Sequence, residues 1–259
     1  MPVLEGRSLV KRYDDRAALN EVSFVVDAGE VVAIAGPNGA GKTTLLSMLA
    51  GVTAADSGIV DDHGARLGWV PQRAATYGKL TVRENLRLFA KLEKVADVKG
   101  AVDRMLQRIE LADRADARAE ELSGGMRQRL SIGMGLIADP AVLLLDEPSA
   151  ALDPLQRERL WELLGSLAAQ GIAIVFSTHS AGEVEGHANR VLVLDGGELL
   201  YNGDPAGIGP GQHFELAFVN FLRKVRRERG EPVVSAATDR SNSPLRADDE
   251  LPPWTQGPQ

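Results

Sequence analysis

The chain contains no cysteine, which removes disulfides, thiolate catalysis and cysteine metal sites together and fits a reducing compartment. It also lacks an excess of positive charge. With 29 Lys and Arg against 36 Asp and Glu, the net charge is -7, so, local basic patches aside, it does not have the balance that favours nucleic acid through phosphate neutralisation. No uninterrupted apolar run approaches the ~20 residues of a membrane span. Met1 to Lys11 holds Glu5, Gly6 and Arg7 where a signal peptide needs an apolar core. The expectation is a cytoplasmic protein that does not itself cross a membrane. Apolar content is not lacking. At 44% of 259 residues it suits a soluble globular protein of one or two domains with a sizeable core, which excludes a disordered or fibrous class for most of the length.

Four short apolar runs bounded by breakers read as buried strands of a largely parallel sheet: Val31 to Ala35, Val142 to Leu145, Ile172 to Phe176 and Val191 to Leu194. Helical stretches lie between or after them. Lys42 to Ala50 follows a glycine loop, and Leu155 to Gln170 is an amphipathic helix opened by Pro154 and ended by Gly171. This alternation indicates an α/β core. Between about Gln72 and Asp139 the pattern turns helical only, with Leu86, Leu88, Phe89 and Leu92 on one segment and Val102, Met105, Leu106 and Ile109 on another, as expected of an inserted helical subdomain. Leu9 to Tyr13 and Val22 to Val26 alternate in strand fashion and predict an antiparallel sheet beside the core. Asp195-Gly196-Gly197 predicts a hairpin turn into Glu198 to Tyr201. Farther on, Phe214, Phe218, Phe221, Leu222 and Val225 recur at helical spacing and end in the basic cluster Arg223, Lys224, Arg226, Arg227 and Arg229. Such a helix either packs on the core with a solvated basic end or meets anionic headgroups or a membrane partner. From Ser235 the residues are polar and proline-rich, the composition of a disordered tail.

Gly36-Pro37-Asn38-Gly39-Ala40-Gly41-Lys42-Thr43-Thr44 follows a strand and opens a helix, the context that a Walker A phosphate loop requires. The glycines let successive amides point at phosphate oxygens, Lys42 adds a fixed positive charge, and the Thr43 hydroxyl can ligate magnesium. A glycine-rich turn without function is the weaker alternative. Val142 to Glu147 is an apolar strand ending in two carboxylates and resembles a Walker B strand, with Asp146 assigned to the metal and Glu147 to the general base that polarises an attacking water. Alone, two acids ending a strand are commonly a solvated turn. Leu122-Ser123-Gly124-Gly125-Met126-Arg127-Gln128-Arg129 offers a capping hydroxyl, unobstructed amides and a positive helix end. It looks like a second phosphate loop, yet Ser123 to Arg129 contains no acidic residue able to serve catalysis.

With these three elements in this order, the chain resembles the ATP-binding cassette (ABC) family, specifically the nucleotide-binding subunit of an ABC transporter, over roughly residues 4–205. The resemblance implies an α/β P-loop NTPase (RecA-like) core with an antiparallel β subdomain and an all-helical subdomain at about 73–139. An ATP-binding domain over 1–205, a C-terminal helical extension over 206–234 and a tail over 235–259 complete the expected organisation. It implies ATP and Mg2+ as ligands. Tyr13 falls where the family stacks an aromatic on adenine, although the residue alone reads as a strand side chain facing a core. Gln72 matches the glutamine that touches magnesium and links the site to the helical subdomain; alone it suggests only a turn. His179, in Ser177-Thr178-His179-Ser180, matches the switch histidine at the γ-phosphate, where a hydrogen-bonded strand-end histidine is the plain alternative. Asp153 matches a loop crossing the dimer interface, or is simply a helix N-cap before Pro154.

The resemblance further implies that two copies pack head to tail, so that Ser123, Gly124 and Gly125 of one, with Met126, close over ATP held by Lys42 of the other. Hydrolysis then requires the dimer. Met126 stands where the family often has glutamine, and Ala150 and Ala151 where many members have serine and glycine. Gly133 and Gly135 lie within the helix expected after the signature, each at a cost of about 1 kcal/mol relative to alanine, with no role suggested by sequence. A single cassette implies a separate membrane permease, contacted through the segment near Gln72 to Phe89, and a position on the inner face of the cell membrane through that permease. The short segment between Gly51 and Gln72, the stretch Leu80 to Leu86, Ser180 after the histidine and the phenylalanine-bearing helix after Pro205 resemble ABC-2 type exporters. The alternative is a soluble, non-transporting cassette ATPase, such as one serving cofactor assembly. A P-loop kinase leaves Leu122 to Arg129 unexplained.

Overall fold

The structure, a computed structural model, describes residues 1–73, 75–209 and 214–229. In chain order its elements are β1 (Pro2–Tyr13), β2 (Arg16–Asp27), β3 (Val31–Ala35), α1 (Lys42–Leu49), β4 (Ser57–Asp61), β5 (Leu67–Val70), α2 (Val82–Leu92), α3 (Val98–Arg108) and α4 (Gly124–Leu136). There follow β6 (Val142–Asp146), α5 (Pro154–Ala169), β7 (Ala173–Thr178), α6 (Ala181–His187), β8 (Arg190–Asp195), β9 (Glu198–Gly203) and α7 (Phe214–Glu228). The chain divides into two compact units, Met1–Phe218 and Val219–Gln259. In the second, description ends at Arg229 with the close of α7, so the expected tail at 235–259 lies outside the described residues.

The core is a six-stranded sheet in the order β5-β6-β7-β3-β8-β9. All its pairings are parallel except β8 with β9, which closes the expected hairpin through Asp195↔Glu198. Every residue of β3, β6 and β7 is buried, which explains why these strands read as continuous apolar runs rather than alternating ones: helices cover both faces. Helix α5 lays Leu160, Trp161, Leu164 and Leu167 inward, and the Trp161 ring meets Phe176 of β7 edge-on at 4.8 Å. A second, antiparallel sheet of order β2-β1-β4 flanks the core, and its inward side chains Leu4, Leu9, Leu19, Val22, Phe24 and Val26 share a hydrophobic cluster with α1.

Sequence patterning located the central strands to within about two residues and missed three elements, β4, β5 and the short α6 of 7 residues. Strand β5 has only 4 residues, too few to display a period, and it takes the edge of the parallel sheet, in a stretch to which the sequence assigns no element. Strand β4 is mostly exposed and carries little apolar signal. The helical segment is present as α2, α3 and α4. Helix α2 starts at a capping box in which Thr81 Oγ1 accepts from the Glu84 N–H and a Glu84 carboxylate oxygen accepts from the Thr81 N–H.

The two glycines without a role in the sequence acquire one in the packing. A Cβ on Gly133 would sit 2.8 Å from Ile109 Cδ1, and one on Gly135 would sit 3.0 Å from Val70 Cγ2. Across the gap, a Cβ on Gly68 of β5 would collide with the Gly135 carbonyl oxygen. Helix α4 therefore lies almost backbone to backbone on the sheet edge, and the helical penalty of glycine is the cost of that close approach.

Candidate functional site

Strand β3 delivers the chain to Gly36 at the end of the sheet where β6 and β7 also stop, and the loop from Gly36 to Gly41 turns there into α1. Gly41 adopts φ 106°, outside the reach of most side chains, and a Cβ at this position would strike the Ala18 carbonyl oxygen. The loop thus folds tightly against the base of the β1–β2 hairpin. Lys42, only 6% exposed, turns back into it and donates from Nζ to the carbonyls of Gly36 at 2.8 Å and Pro37 at 3.1 Å. Burial pushes its pKa down, and the nearby carboxylates of Glu147 and Asp146 oppose that shift.

At the end of β6, Asp146 is buried and accepts two hydroxyl hydrogen bonds at Oδ1, from Thr43 at 3.2 Å and from Ser177 at 2.5 Å. Ser177 Oγ in turn accepts from the Glu147 backbone N–H at 2.9 Å. One hydroxyl on β7 thereby fixes both acids. Glu147 takes φ 46°, left-handed for a residue with a side chain, and its carboxylate is consequently displaced from the strand line. Gln72 Nε2 donates to its Oε2 at 3.2 Å, and His179 Nδ1 lies 3.3 Å from Oε1. Two segments far apart in sequence, one on either side of Glu147, converge on its carboxylate.

These groups surround a cleft of about 1160 Å³ lined by Asn38, Gly39, Gly41, Lys42, Thr43 and Thr44 of the loop and by Gln72, Glu147 and His179. The β1–β2 hairpin supplies the opposite wall with Tyr13, Asp14, Asp15, Arg16 and Ala18. Tyr13 is 50% exposed, so it faces the cleft and not a core, its ring 5.6 Å from Lys11 Nζ. Opposite it in the hairpin register, Arg16 donates from Nη2 to the Gly39 carbonyl at 3.2 Å. Gly36 and Pro37 take part through their carbonyls, which accept from Lys42, while Ala40 and Asp146 are buried and Asp146 accepts from Thr43.

The remaining sequence-predicted residues lie elsewhere. Ser123 is the N-cap of α4 and its Oγ accepts from the Met126 N–H at 3.3 Å. Ser123, Gly125 and Met126 line a separate cleft of about 160 Å³ with Leu152 and Gln156, and Gly124 is exposed beside them. Asp153 caps α5, accepting from the Gln156 N–H at 2.9 Å before Pro154 at the first helical position. Within one chain, then, the signature loop and Asp153 are not brought to the Lys42 cleft. Sequence reasoning gave no role to Ser177 or Arg16. A serine closing an apolar strand and an arginine in an ordinary hairpin carry no signal until the partners they touch are known.

A phosphate loop at the carboxyl ends of parallel strands, facing an acid pair at the end of β6, the next strand but one, defines the class: a P-loop nucleoside triphosphatase with a helical insertion. The sequence profile of the ABC transporter family matches residues 19–150. The Nod factor export ATP-binding protein I of Burkholderia lata is 40% identical over 220 residues, covering 79% of this chain and 72% of that protein. Its counterpart in Paraburkholderia xenovorans is 38% identical over 218 residues, with coverage of 79% and 72%. Among solved structures, an ATP-binding subunit of an ABC transporter superposes with a TM-score of 0.77 at 27% identity, covering 85% of this chain and 99% of that one. CbiO1 from Clostridium perfringens, part of the ABC transporter complex CbiONQ, superposes at 0.74 and 26% identity, covering 88% and 97%. The chain belongs to the ABC transporter family, as an ATP-binding, ATP-hydrolysing subunit.

Proposed function

We propose that this subunit powers export through a separate membrane permease, and that it does so as a dimer in which each ATP is held by the Lys42 cleft of one copy and the Ser123 loop of the other. The observation that carries the dimer is the separation of two phosphate-binding features within one chain: the loop at Gly36–Thr44 has acids and a histidine beside it, whereas Ser123–Met126 has an open helix N-terminus and none of them. Among the described residues no helix is long and apolar enough to cross a membrane, which suits a subunit held at the inner face of the cell membrane by its permease. The export role of the named relatives supports the direction. We assign residues 1–205 to the ATP-binding domain, with the helical subdomain at about 73–139 meeting the permease, and 206–234 to a C-terminal extension.

In this reading Tyr13 stacks on adenine, and the backbone N–H groups of Asn38, Gly39, Gly41, Lys42, Thr43 and Thr44 cradle the phosphates, while Gly36, Pro37 and Ala40 shape the turn, the Ala40 N–H donating to the Pro37 carbonyl at 3.2 Å. Lys42 leaves its carbonyl partners for the phosphate oxygens, a stronger, charge-assisted pairing. Thr43 and Asp146, a hydroxyl and a carboxylate already 3.2 Å apart, form a hard oxygen set of the kind Mg2+ prefers, and Gln72 stands beside them. Mg2+, when bound, neutralises charge on the phosphate oxygens. Glu147 accepts the proton of a water whose oxygen attacks the γ-phosphorus in line, the bond to the bridging oxygen breaks, and ADP and inorganic phosphate leave. His179 donates toward the γ-phosphate, and the partner's Ser123 loop, with Gly124, Gly125 and Met126, closes the other side, Asp153 lying at the interface.

Mixed dimers test this. One copy carries Lys42→Ala and the other Ser123→Arg, each homodimer being inactive. Recovery of ATP turnover on mixing is expected, because one composite site is then intact; absence of recovery removes the shared-site arrangement. Purification from membranes with a polytopic partner tests the transport role, and purification with a soluble scaffold and no permease would sink it in favour of a cofactor-assembly ATPase.

A further inference from the structure

Glu183, the third residue of α6, is a carboxylate at 7% exposure whose two oxygens are both taken by hydroxyl groups. Thr178 Oγ1 donates to Oε2 at 2.6 Å, and Ser149 Oγ donates to Oε1. Thr178 Oγ1 also accepts from the Ser180 backbone N–H at 2.9 Å. The two donors stand on different arms of the site. Ser149 lies two residues beyond Glu147, on the turn that runs on to Leu152 and Asp153, where the Leu152 N–H donates to the Ser149 carbonyl at 3.1 Å. Thr178 directly precedes His179. A charged side chain taken out of water is unfavourable unless hydrogen bonded, and both hydroxyls are themselves buried, at 3% each. The group also borders a cleft shared with Glu147, His179, Ala150 and Arg157.

We infer that Glu183 is a positioning residue that ties the turn carrying Ser149 to the Thr178–His179 segment, so that the histidine and the loop ending in Asp153 move as one body. The reason is geometric. Ser177 and Thr178 are neighbours on β7 with opposite duties: Ser177 fixes Asp146 and Glu147, and Thr178 reaches through Glu183 to the same stretch of chain a few residues later. His179 Nδ1 is 3.3 Å from Glu147 Oε1, and no hydrogen bond from its ring to the fold behind it accompanies that contact among the described residues. Its placement therefore rests on the backbone at 178–180, which Glu183 anchors from below. In a dimer, displacement of the Asp153 loop by the opposite copy would be carried through Ser149 and Glu183 to His179. The inference rests on the ATPase reading above and adds to it the element coupling the two parts of the site.

The test uses the full chain with Ser149→Ala, Glu183→Ala and the double variant, following ATP turnover, the KM for ATP and thermal melting. A shift of the histidine by about 1 Å costs up to roughly 100-fold in rate, so each single variant is expected to lower kcat by about 10- to 100-fold while KM stays within about twofold. The double variant is expected to match the worse single one, because both remove the same link. Ser149→Ala removes a single hydroxyl and carries the test should Glu183→Ala fail to fold. Unchanged kcat in Ser149→Ala overturns the inference, as do losses that multiply in the double variant or a fall in kcat that tracks a fall in Tm. Absence of ATP turnover in the unaltered protein would instead overturn the underlying reading of the site.

Discussion

Thr43 and Asp146 are 103 positions apart in the chain, yet the threonine hydroxyl donates to the carboxylate at 3.2 Å. The contact joins the first turn of α1 to the end of β6, across a sheet in which β7 lies between β3 and β6. In the proposed mechanism this hydroxyl and buried carboxylate, facing each other at the foot of the phosphate loop, would share a divalent ion brought by the nucleotide. Asp146→Asn is therefore expected to raise the Mg2+ concentration needed for half-maximal turnover, and Thr43→Ala to do so more weakly, as a Mg2+ titration at fixed ATP would measure. Equal Mg2+ dependence in all three proteins would separate this pair from the metal.

Glu147 is held between Gln72 and His179, and the proposed mechanism makes it the acid that takes the proton of water. Glu147→Gln is expected to lower turnover by about 10²- to 10⁴-fold, the usual contribution of a general base, while ATP binding persists and an ATP-bound dimer accumulates on size exclusion. Unchanged turnover in that variant would remove Glu147 as the base.

Lys42 presents the reverse balance, because burial lowers its pKa in the folded chain. Below the ordinary lysine value the folded state binds protons less readily than the unfolded one, so the buried ammonium detracts from stability at neutral pH and the deficit fades as pH rises toward about 10.4. Lys42→Met is expected to leave the nucleotide-free Tm unchanged or higher at pH 7, with the difference shrinking toward pH 10, and to abolish the Tm increase that ATP gives the unaltered protein. A lower nucleotide-free Tm at pH 7 contradicts this.

The glycines at the α4–β5 contact should respond in a definite order. At Gly133 the obstructing atoms are side-chain ends of Ile109 and Leu86, which can yield, whereas at Gly68 the obstruction is the Gly135 carbonyl. The helical gain of about 1 kcal/mol for alanine competes with overpacking of about 1–3 kcal/mol. Gly133→Ala should thus lie near neutral to mildly destabilising, and Gly68→Ala should lower Tm by several degrees, at roughly 2–4 °C per kcal/mol for a chain of this size. Melting curves of the two variants decide it.

Much of this fold and site is legible in the sequence. Strands β3, β6 and β7 announce themselves because burial on both faces demands unbroken apolar runs, and the phosphate loop does so because few sequences place Gly41 and Lys42 between a strand and a helix. What stayed hidden depends on pairing across distance. Strand β5 is too short for a period, Ser177 looks like any serine until Asp146 and Glu147 are beside it, and Glu183 carries no signal in the sequence until Ser149 and Thr178 are beside it. Gly133 and Gly135 looked like faults in a helix because their reason lies on another element. Tyr13, which residue type alone would bury, stays half exposed because the hairpin register sets it against Arg16 at the rim of the cleft.

The left-handed backbone of Glu147, at φ 46°, sets chemistry against durability. Holding a side-chain-bearing residue there costs roughly 1–2 kcal/mol, a tax that the fold accepts to swing one carboxylate away from its neighbour. Glycine at this position would relieve the strain and also delete the acid. With Glu147 as the proposed base, a screen for thermal stability alone would consequently tend to enrich a sturdier protein with much slower ATP turnover, and stabilisation of this subunit is better sought at sites remote from the end of β6.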